Sequence, residues 1–326
     1  MPSPMNTVAI TRNDLRASVE AIDLFAEMLG FIGIKILRQL DVAAQADQFG
    51  KIPIEQLLQV SSTVRNSDGS YPRGEFQFDV DVYATQDRGW EEKVDDREER
   101  MYGSWFDAEV LATKRAYWKV MADQEQRIAD FLYDTTYYTG AAKTTAVSVP
   151  WSTHATADPI GDVNAAKIKV WQATGLWPNT LTINELQFMD LKECAAIKDA
   201  LQASGAGVQA TQGKITEAML ADVFGLDQVL VAKGTKNAAN MGQAFSGDII
   251  WSSEYASVCR AATTDDVKEP CVGRTFHWTG DGSQQGGTLE SYRDESKRGY
   301  IIRVRHEVQE KGIIRQAAHL LSNIRD

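Results

Sequence analysis

Apolar and polar side chains alternate strictly over residues 75–82, and this feature restricts the fold more than any other. The apolar positions are Phe76, Phe78, Val80 and Val82. A period of two predicts a strand with one apolar face. Residues 58–64 keep the same parity, and the turn signals Asp68-Gly69 and Pro72–Gly74 separate the two segments. The sequence therefore predicts a two-stranded hairpin whose arms, about 12 residues each, reach about 40 Å.

Such a hairpin needs a second layer, because two strands alone are at best marginally stable in water. Two interpretations satisfy this requirement. Either both strands belong to a larger sheet of the same chain, or another molecule covers the apolar face. The alternation fits both interpretations equally well, so the rest of the chain has to decide.

A long helical pattern follows the hairpin. Apolar side chains recur at spacings of three and four from Met101 to Leu132, with no proline and one glycine, Gly103. A continuous helix of this length would extend about 50 Å, far beyond the average helix. Because Arg115 and Glu125 interrupt the apolar seam, the pattern argues against a coiled coil. We expect one long helix that lies along a sheet.

The remaining chain mixes helical and strand patterns without regular alternation, which is typical of the α+β class. An amphipathic pattern over 11–29 predicts an N-terminal helix. Asp158-Pro159 predicts the start of a second helix, and Gly175 its end. A third helix is predicted at about 184–202. Strands are predicted at 180–183, 227–234, 273–280 and 300–308.

Charge and cysteine content exclude several functional classes. Lys and Arg total 34 against 45 for Asp and Glu, a net charge of -11, so nonspecific binding to phosphate backbones is not the expected task. Cys194, Cys259 and Cys271 are odd in number and lack metal-ligand spacing, which argues against a disulfide framework and a zinc site. We find no apolar run of signal-peptide or transmembrane length. We expect a cytosolic protein without membrane association.

Motifs for catalysis are missing as well. The sequence has no complete G-x-G-x-x-G, no P-loop, no H-E-x-x-H and no G-x-S-x-G. Folding could bring Cys259, His277 and Asp281 together as a nucleophilic site. The carboxylates at 91–99 could form an acid/base pair or a metal site, although the interleaved Lys93 and Arg97 favour a salt-bridged, solvated face. We expect no catalytic residue, no cofactor and no metal.

Several segments, taken in order, resemble the major capsid proteins of tailed bacteriophages, which have the Hong Kong 97 type fold. They are PNTLTINELQFMDLKECAAIKDAL, KITEAMLADVFGLDQVLVAKGTKNAANMGQ, IIWSS, GRTFHW and ESYRDESKRGYIIRVRHEV, together with YPRG before the strand at 75–83. The likeness runs from about residue 54 onward. It depends on the order and spacing of these segments, since no single motif is diagnostic.

The resemblance implies a division of the chain. Residues 1–55 would be an N-terminal arm, and 56–90 an extended β-hairpin loop. A peripheral domain would combine 91–176, which includes the long spine helix, with 276–326. An axial domain would comprise 177–275. The implied function is structural and not enzymatic: the chain would self-assemble into pentamers and hexamers of an icosahedral shell that encloses double-stranded phage DNA.

The same resemblance names the molecule that covers the hairpin, namely another copy of this chain. Contacts between subunits are then expected at Val64, Arg73, Phe76, Phe78, Val80, Val82, Arg88, Trp90, Glu91, Glu92 and Arg97. Scaffolding, portal and decoration proteins are further candidate partners, and the DNA would be enclosed without sequence-specific binding. An acidic chain would suit an inner lining that repels phosphate. The protein would reside in the virion, and in the host cytoplasm during assembly.

Two alternatives remain open. A nanocompartment shell of the same fold would enclose a cargo enzyme in place of a genome. A soluble enzyme would use Cys259 or the region of His277. The segment before the hairpin is too short for a built-in coiled-coil scaffold, so we expect a separate scaffolding protein or none, and no large N-terminal cleavage.

Overall fold

The computed structural model describes residues 10–11, 30–51, 53–65, 67, 69, 71–74, 79–102, 107–203, 214–240, 242–244, 246–266, 268–284 and 286–325. The helices of these ranges are α1 (Gly33–Ile36), α2 (Ile54–Leu57), α3 (Asp96–Tyr102), α4 (Ala108–Leu132), α5 (Pro159–Thr174), α6 (Glu185–Glu193), α7 (Ala195–Ala203) and α8 (Glu217–Phe224). The first strands are β1 (Ile10–Thr11), β2 (Gln39–Val42), β3 (Ala46–Lys51), β4 (Asp79–Ala84), β5 (Gln86–Asp95), β6 (Thr144–Ala146), β7 (Thr180–Asn184) and β8 (Gln228–Ala232). The later strands are β9 (Thr235–Asn237), β10 (Gly247–Ile249), β11 (Ala256–Cys259), β12 (Gly273–Trp278), β13 (Thr288–Asp294), β14 (Gly299–Gly312) and β15 (Ala318–Ser322).

A six-stranded sheet forms the first of two larger units. Its strand order is β1-β13-β14-β12-β2, and β5 pairs with β14. Side chains from the N-terminal half of α4, among them Ala116 and Tyr117, pack against Val94, Ile302 and Val304 of this sheet. The helix therefore lies along a sheet, as the sequence predicts.

The helix α4 begins later than predicted. Its N-cap is Asp107, whose carboxylate accepts hydrogen bonds from the backbone N–H groups of Glu109 (3.0 Å) and Val110 (3.2 Å). From Ala108 the helix runs for 25 residues, or about 37 Å, and α3 is a separate element. Residues 103–106, which include the predicted helical Gly103, lie outside the described residues.

A five-stranded sheet with the order β6-β15-β11-β7-β8 forms the second unit. Helices α5 to α8 cover one face of it, where Val163, Phe188 and Phe224 share a core with Leu181 and Val231. The other face packs on α1 and on the C-terminal end of α4. Because α4 reaches both sheets, it belongs to both cores.

The pairing of β15 places the C-terminal residues in a different unit from the one that the expected domain boundaries give. This strand pairs with β6 and β11, so the C-terminal residues join the sheet of the 177–275 segment rather than the sheet of the spine helix. The segment that carries β6 and α5 packs there too. These long-range pairings leave no local trace in the sequence.

Most of the other predicted elements agree with the structure. The helix from Pro159 ends at a left-handed Gly175 (φ 69°), and the predicted strands contain β7, β8, β12 and β14 or lie within them. The helix predicted at 184–202 is divided into α6 and α7 at Cys194. The helix predicted at 11–29 lies outside the described residues.

A buried acid lies where α4 passes from one core to the other. The side chain of Glu125 is 2% exposed. Its carboxylate accepts hydrogen bonds from the backbone N–H groups of Ile32 (2.8 Å) and Gly33 (2.7 Å), and from the indole N–H of Trp251 (2.7 Å). Burial raises the pKa of Glu125, and the three N–H groups act against this effect. The acid therefore joins three distant segments of the chain.

Candidate subunit interface

The strands β3 and β4 form a small two-stranded ribbon, which is a sheet of its own. The strands are antiparallel, and Gln48 lies opposite Val82 while Gly50 lies opposite Val80. The predicted strand over 75–82 is thus confirmed from Asp79, but its predicted partner is wrong. Residues 59–65 form no strand, and the partner is 46–51. Asp47 and Gly50 favour strands weakly, so local propensity does not reveal this partner.

The inner face of this ribbon is fixed to its own chain. Tyr83 is 6% exposed and stacks on Phe276 with ring centroids 4.7 Å apart. Phe49 packs against the same ring at 5.7 Å. Lys311 forms an ion pair with Asp81 at 2.7 Å. One face of the ribbon is therefore occupied by the six-stranded sheet.

The outer face carries the predicted valines, and it is open. Val80 is 60% exposed and Val82 is 50% exposed. The residues opposite them, Gly50 and Gln48, add little apolar cover. Side chains alternate between the faces of a strand, so these valines point away from the sheet that holds Tyr83. Phe76 and Phe78 lie outside the described residues.

The segment between β3 and β4 also carries exposed apolar side chains. Its exposed side chains are Leu57 (57%), Leu58 (57%), Val60 (96%), Val64 (75%) and Tyr71 (69%), and Arg73 is also exposed. Large apolar side chains concentrated on one projecting segment are typical of interaction sites. The predicted contact residues Val64 and Arg73 thus lie exposed between β3 and β4, and Val80 and Val82 lie exposed on β4 itself.

The predicted contact residues of the charged stretch lie on β5 and α3. Arg88 faces Asp123 at 3.8 Å. Glu91 faces Arg303 at 3.5 Å, and Glu92 faces Arg115 at 3.5 Å. Trp90 lies under the Lys119 ammonium, 4.9 Å from the ring centroid, and Arg97 is exposed. Much of this stretch therefore forms the salt-bridged face that its charge pattern favours.

Folding does not assemble the Cys259, His277 and Asp281 grouping. Cys259 is fully buried in β11, and burial raises its pKa to about 12. Because the thiolate is the nucleophilic form, this thiol is unsuited to catalysis. Asp281 forms an ion pair with Arg305. Its carboxylate also accepts from the backbone N–H of Ser283 at 2.9 Å, so it serves a structural contact, as does the buried Cys259.

His277 instead lies between two other side chains. Its Nδ1 is 2.8 Å from Asp41 Oδ1, and its Nε2 is 2.9 Å from Ser283 Oγ. The order acid, histidine, serine resembles a hydrolase triad, but here the serine is buried and the acid is exposed. Ser283 is 5% exposed whereas the Asp41 side chain is 49% exposed. The Ser283 hydroxyl also donates to the Trp278 carbonyl oxygen at 3.3 Å, and the contact between Asp41 and His277 joins β2 to β12.

The described residues contain neither a cluster of metal ligands nor a helix suited to a bilayer. None of their His, Cys, Asp and Glu side chains form a group of three placed to hold a metal ion. Among the helices of the described ranges, we find none with the length and apolar character needed to cross a bilayer.

Solved structures share this architecture over nearly the whole chain. A phage-related protein from Bordetella bronchiseptica aligns over 97% of this chain and 98% of its own, with a TM-score of 0.66 and 18% identity. The capsid of a native GTA particle aligns over 99% and 94%, with a TM-score of 0.54 and 12% identity. A virus-like particle from Pyrococcus furiosus aligns over 94% and 98%, with a TM-score of 0.54 and 14% identity.

Sequence comparison gives no match, either to a protein-family description or to a curated protein. The structural likeness therefore defines the fold, which is that of shell-forming proteins. More particularly, it is the Hong Kong 97 type capsid fold. This confirms the fold that the sequence segments resemble.

Proposed function

We propose that this protein is the major structural subunit of a phage capsid. In this proposal it self-assembles into pentamers and hexamers of an icosahedral shell that encloses double-stranded DNA, and it acts in the virion. The observation that supports the proposal most is the open outer face of the ribbon. Val80 and Val82 need an apolar cover, and repeated copies of one chain can supply it through a heterologous, ring-closing contact.

The two sheets then correspond to the two domains of the subunit. The five-stranded sheet with α5 to α8 would face the capsomer centre as the axial domain. The six-stranded sheet with the first half of α4 would form the peripheral domain. The boundaries follow strand pairing, so β6 and β15 belong to the axial domain in this assignment.

A shell without a genome is the second candidate function. It is favoured by the match to the Pyrococcus furiosus virus-like particle. Such a shell would enclose a cargo enzyme. The contents of purified particles distinguish the two: nuclease-protected DNA supports the capsid, and a copurified enzyme supports the compartment.

The test is assembly of the full chain, followed by negative-stain microscopy and light scattering. Wild-type protein should form closed particles. Val80→Asp with Val82→Asp should remain as dissociated subunits with wild-type circular dichroism, because charged side chains cannot be buried against an apolar neighbour. Asp79→Asn, on the other face of the same strand, is the control and should assemble.

Either of two results would contradict the proposal. The first is a wild-type chain that stays monomeric at high concentration, both alone and together with a scaffolding protein. The second is normal particles from the double aspartate variant, which would show that the outer valine face is not a subunit contact.

A further inference from the structure

The face of α4 that points away from the sheet carries apolar side chains. Leu111 is 44% exposed, and Trp118 and Ala122 are half-buried. Helical spacing places these three in one line, on the side opposite Ala116 and Tyr117, which pack into the sheet. We call Leu111, Trp118 and Ala122 the outer seam. Single exposed apolar side chains are common, but three in one line suit contact with a second helix.

Basic side chains flank the outer seam on both sides. By helical spacing, Lys114 lies on one side of the seam, and Arg115 and Lys119 lie on the other. Residues 108–119 contain these three bases and one acid, Glu109, whereas the whole chain has 45 acids against 34 bases. The N-terminal half of α4 is therefore a positively charged segment of a negatively charged protein.

Two of these bases are positioned by the strand β5. Arg115 lies 3.5 Å from a carboxylate oxygen of Glu92, and the same oxygen accepts from the indole N–H of Trp90 at 2.9 Å. The Lys119 ammonium lies 4.9 Å from the centroid of the Trp90 ring. The Arg115 side chain is still 63% exposed, so its charge remains available to a partner. Because both cations are held before binding, less side-chain entropy is lost when an acidic partner arrives.

We propose that the outer seam and its flanking bases bind an acidic amphipathic helix of another protein. Apolar side chains of that helix pack on Leu111 and Trp118, and its carboxylates meet the three flanking bases. From Leu111 to Ala122 the seam extends about 16 Å, or about three helical turns. The inference rests on the proposed function in one respect: in a capsid, a separate scaffolding protein would supply this helix.

The enclosed DNA is a less suitable partner for this surface. Phosphates would pair with the bases, but they offer nothing apolar to cover Leu111 and Trp118. An acidic amphipathic helix covers the seam and pairs with the bases at once, because the bases lie directly beside the seam. The surface therefore favours an acidic helix over a nucleic acid.

Binding of a synthetic peptide to dissociated full-length subunits tests the proposal. The probe is a fluorescein-labelled amphipathic helix of leucine, alanine and glutamate, about five turns long. Fluorescence anisotropy measures its dissociation constant. One control peptide carries lysine in place of glutamate, and a second has the same residues in scrambled order. Labelled duplex DNA is measured in parallel.

The acidic helix should bind wild-type subunits with a micromolar dissociation constant, and both control peptides should bind at least about tenfold more weakly. Lys114→Glu with Lys119→Glu should weaken binding of the acidic helix about tenfold or more, and so should Leu111→Ser. Lys169→Glu with Lys214→Glu is the matched control, because both lysines are exposed outside α4 and the change in net charge is the same. It should bind within about twofold of wild type.

The outcomes separate the two proposals, because peptide binding is measured on subunits and needs no assembly. No binding of the acidic helix, or equal binding by wild type and Lys114→Glu with Lys119→Glu, would overturn the docking site while the shell function stands. Duplex DNA that binds in place of the helix, and is lost with the same variant, would assign this face to nucleic acid instead. A chain that binds the helix but forms no particles with a scaffolding protein would overturn the shell function and leave the docking site.

Discussion

Replacing Glu125 by glutamine should destabilise the protein at the joint between its two cores. Oε1 of Glu125 accepts two hydrogen bonds, from Ile32 N–H and the Trp251 indole, and Oε2 accepts one from Gly33 N–H at 2.7 Å. A protonated carboxyl oxygen keeps a lone pair for such a donor, but an amide nitrogen does not. If the glutamine oxygen takes the place of Oε1, its NH₂ group faces the N–H of Gly33.

The magnitude follows from these contacts. A buried donor without an acceptor costs about 1–3 kcal/mol, and a neutral hydrogen bond contributes about 0.5–1.5 kcal/mol. Glu125→Gln should therefore lower the free energy of unfolding by about 2–4 kcal/mol. Glu125→Ala leaves three buried N–H groups without an acceptor and should cost at least about 3 kcal/mol. Asp130→Asn, an exposed acid on the same helix, is the control and should stay within about 0.5 kcal/mol.

The pH dependence has a definite sign. Burial raises the folded-state pKa of Glu125 above its usual value of 4.5, so ionisation is harder in the folded chain than in the unfolded chain. The contribution of this group to stability is complete below the unfolded pKa and is lost as pH rises through the folded pKa. Glutamine does not titrate. The stability difference between wild type and Glu125→Gln should therefore narrow as pH rises from about 4.5.

Urea unfolding of dissociated subunits measures the free energy of unfolding of each variant. Hydrogen exchange of the peptide that contains Ile32 and Gly33 reports the contact of these residues with Glu125. Those two amides should exchange faster in Glu125→Gln. A variant as stable as the control, with unchanged exchange at these amides, would refute the reasoning. A stability difference that widens with pH would refute the assigned direction of the pKa.

Three further predictions concern other contacts. Asp107→Ala removes the N-cap of α4 and should lower stability by about 1 kcal/mol, measured by thermal unfolding followed by circular dichroism; an unchanged midpoint would contradict the cap. Arg274→Met removes a guanidinium that is 0% exposed and binds the carbonyl oxygens of Thr264 and Asp266; it should speed limited proteolysis near residue 266, and a wild-type rate would argue against this anchor. Cys259, whose pKa is raised to about 12 by burial, should resist iodoacetamide at pH 8 in native protein and react after denaturation, so rapid native labelling would contradict its burial.

Local patterns predicted the features whose causes are local. The parity of Val80 and Val82 follows from alternation within one strand, and it places both side chains on the open face. The helix α5 carries its own start and stop signals, and it ends at Gly175 as expected. Neither prediction needed knowledge of a distant partner.

Features that depend on residues far apart in the chain could not be predicted from the sequence. The partner of β4 is β3, which contains weak strand formers and is identified by pairing across about 30 residues. In the sequence, Glu125 is only a polar interruption of an apolar stripe. Its hydrogen-bond donors lie 92 and 93 positions earlier and at Trp251, so no local pattern predicts these contacts. Apolar spacing continues across Asp107, so the sequence pattern alone does not mark Ala108 as the first residue of α4.

The shared helix α4 limits how the two halves of the molecule can move. Its N-terminal half is packed into one sheet and its C-terminal end into the other, so the angle between the sheets cannot change while the helix stays straight. Long helices bend where their hydrogen-bond ladder is disturbed, and Glu125 lies at the boundary of the two packed regions. Two packed halves joined by a helix that can bend would let subunits of one sequence adopt slightly different tilts, as the proposed pentamers and hexamers would need.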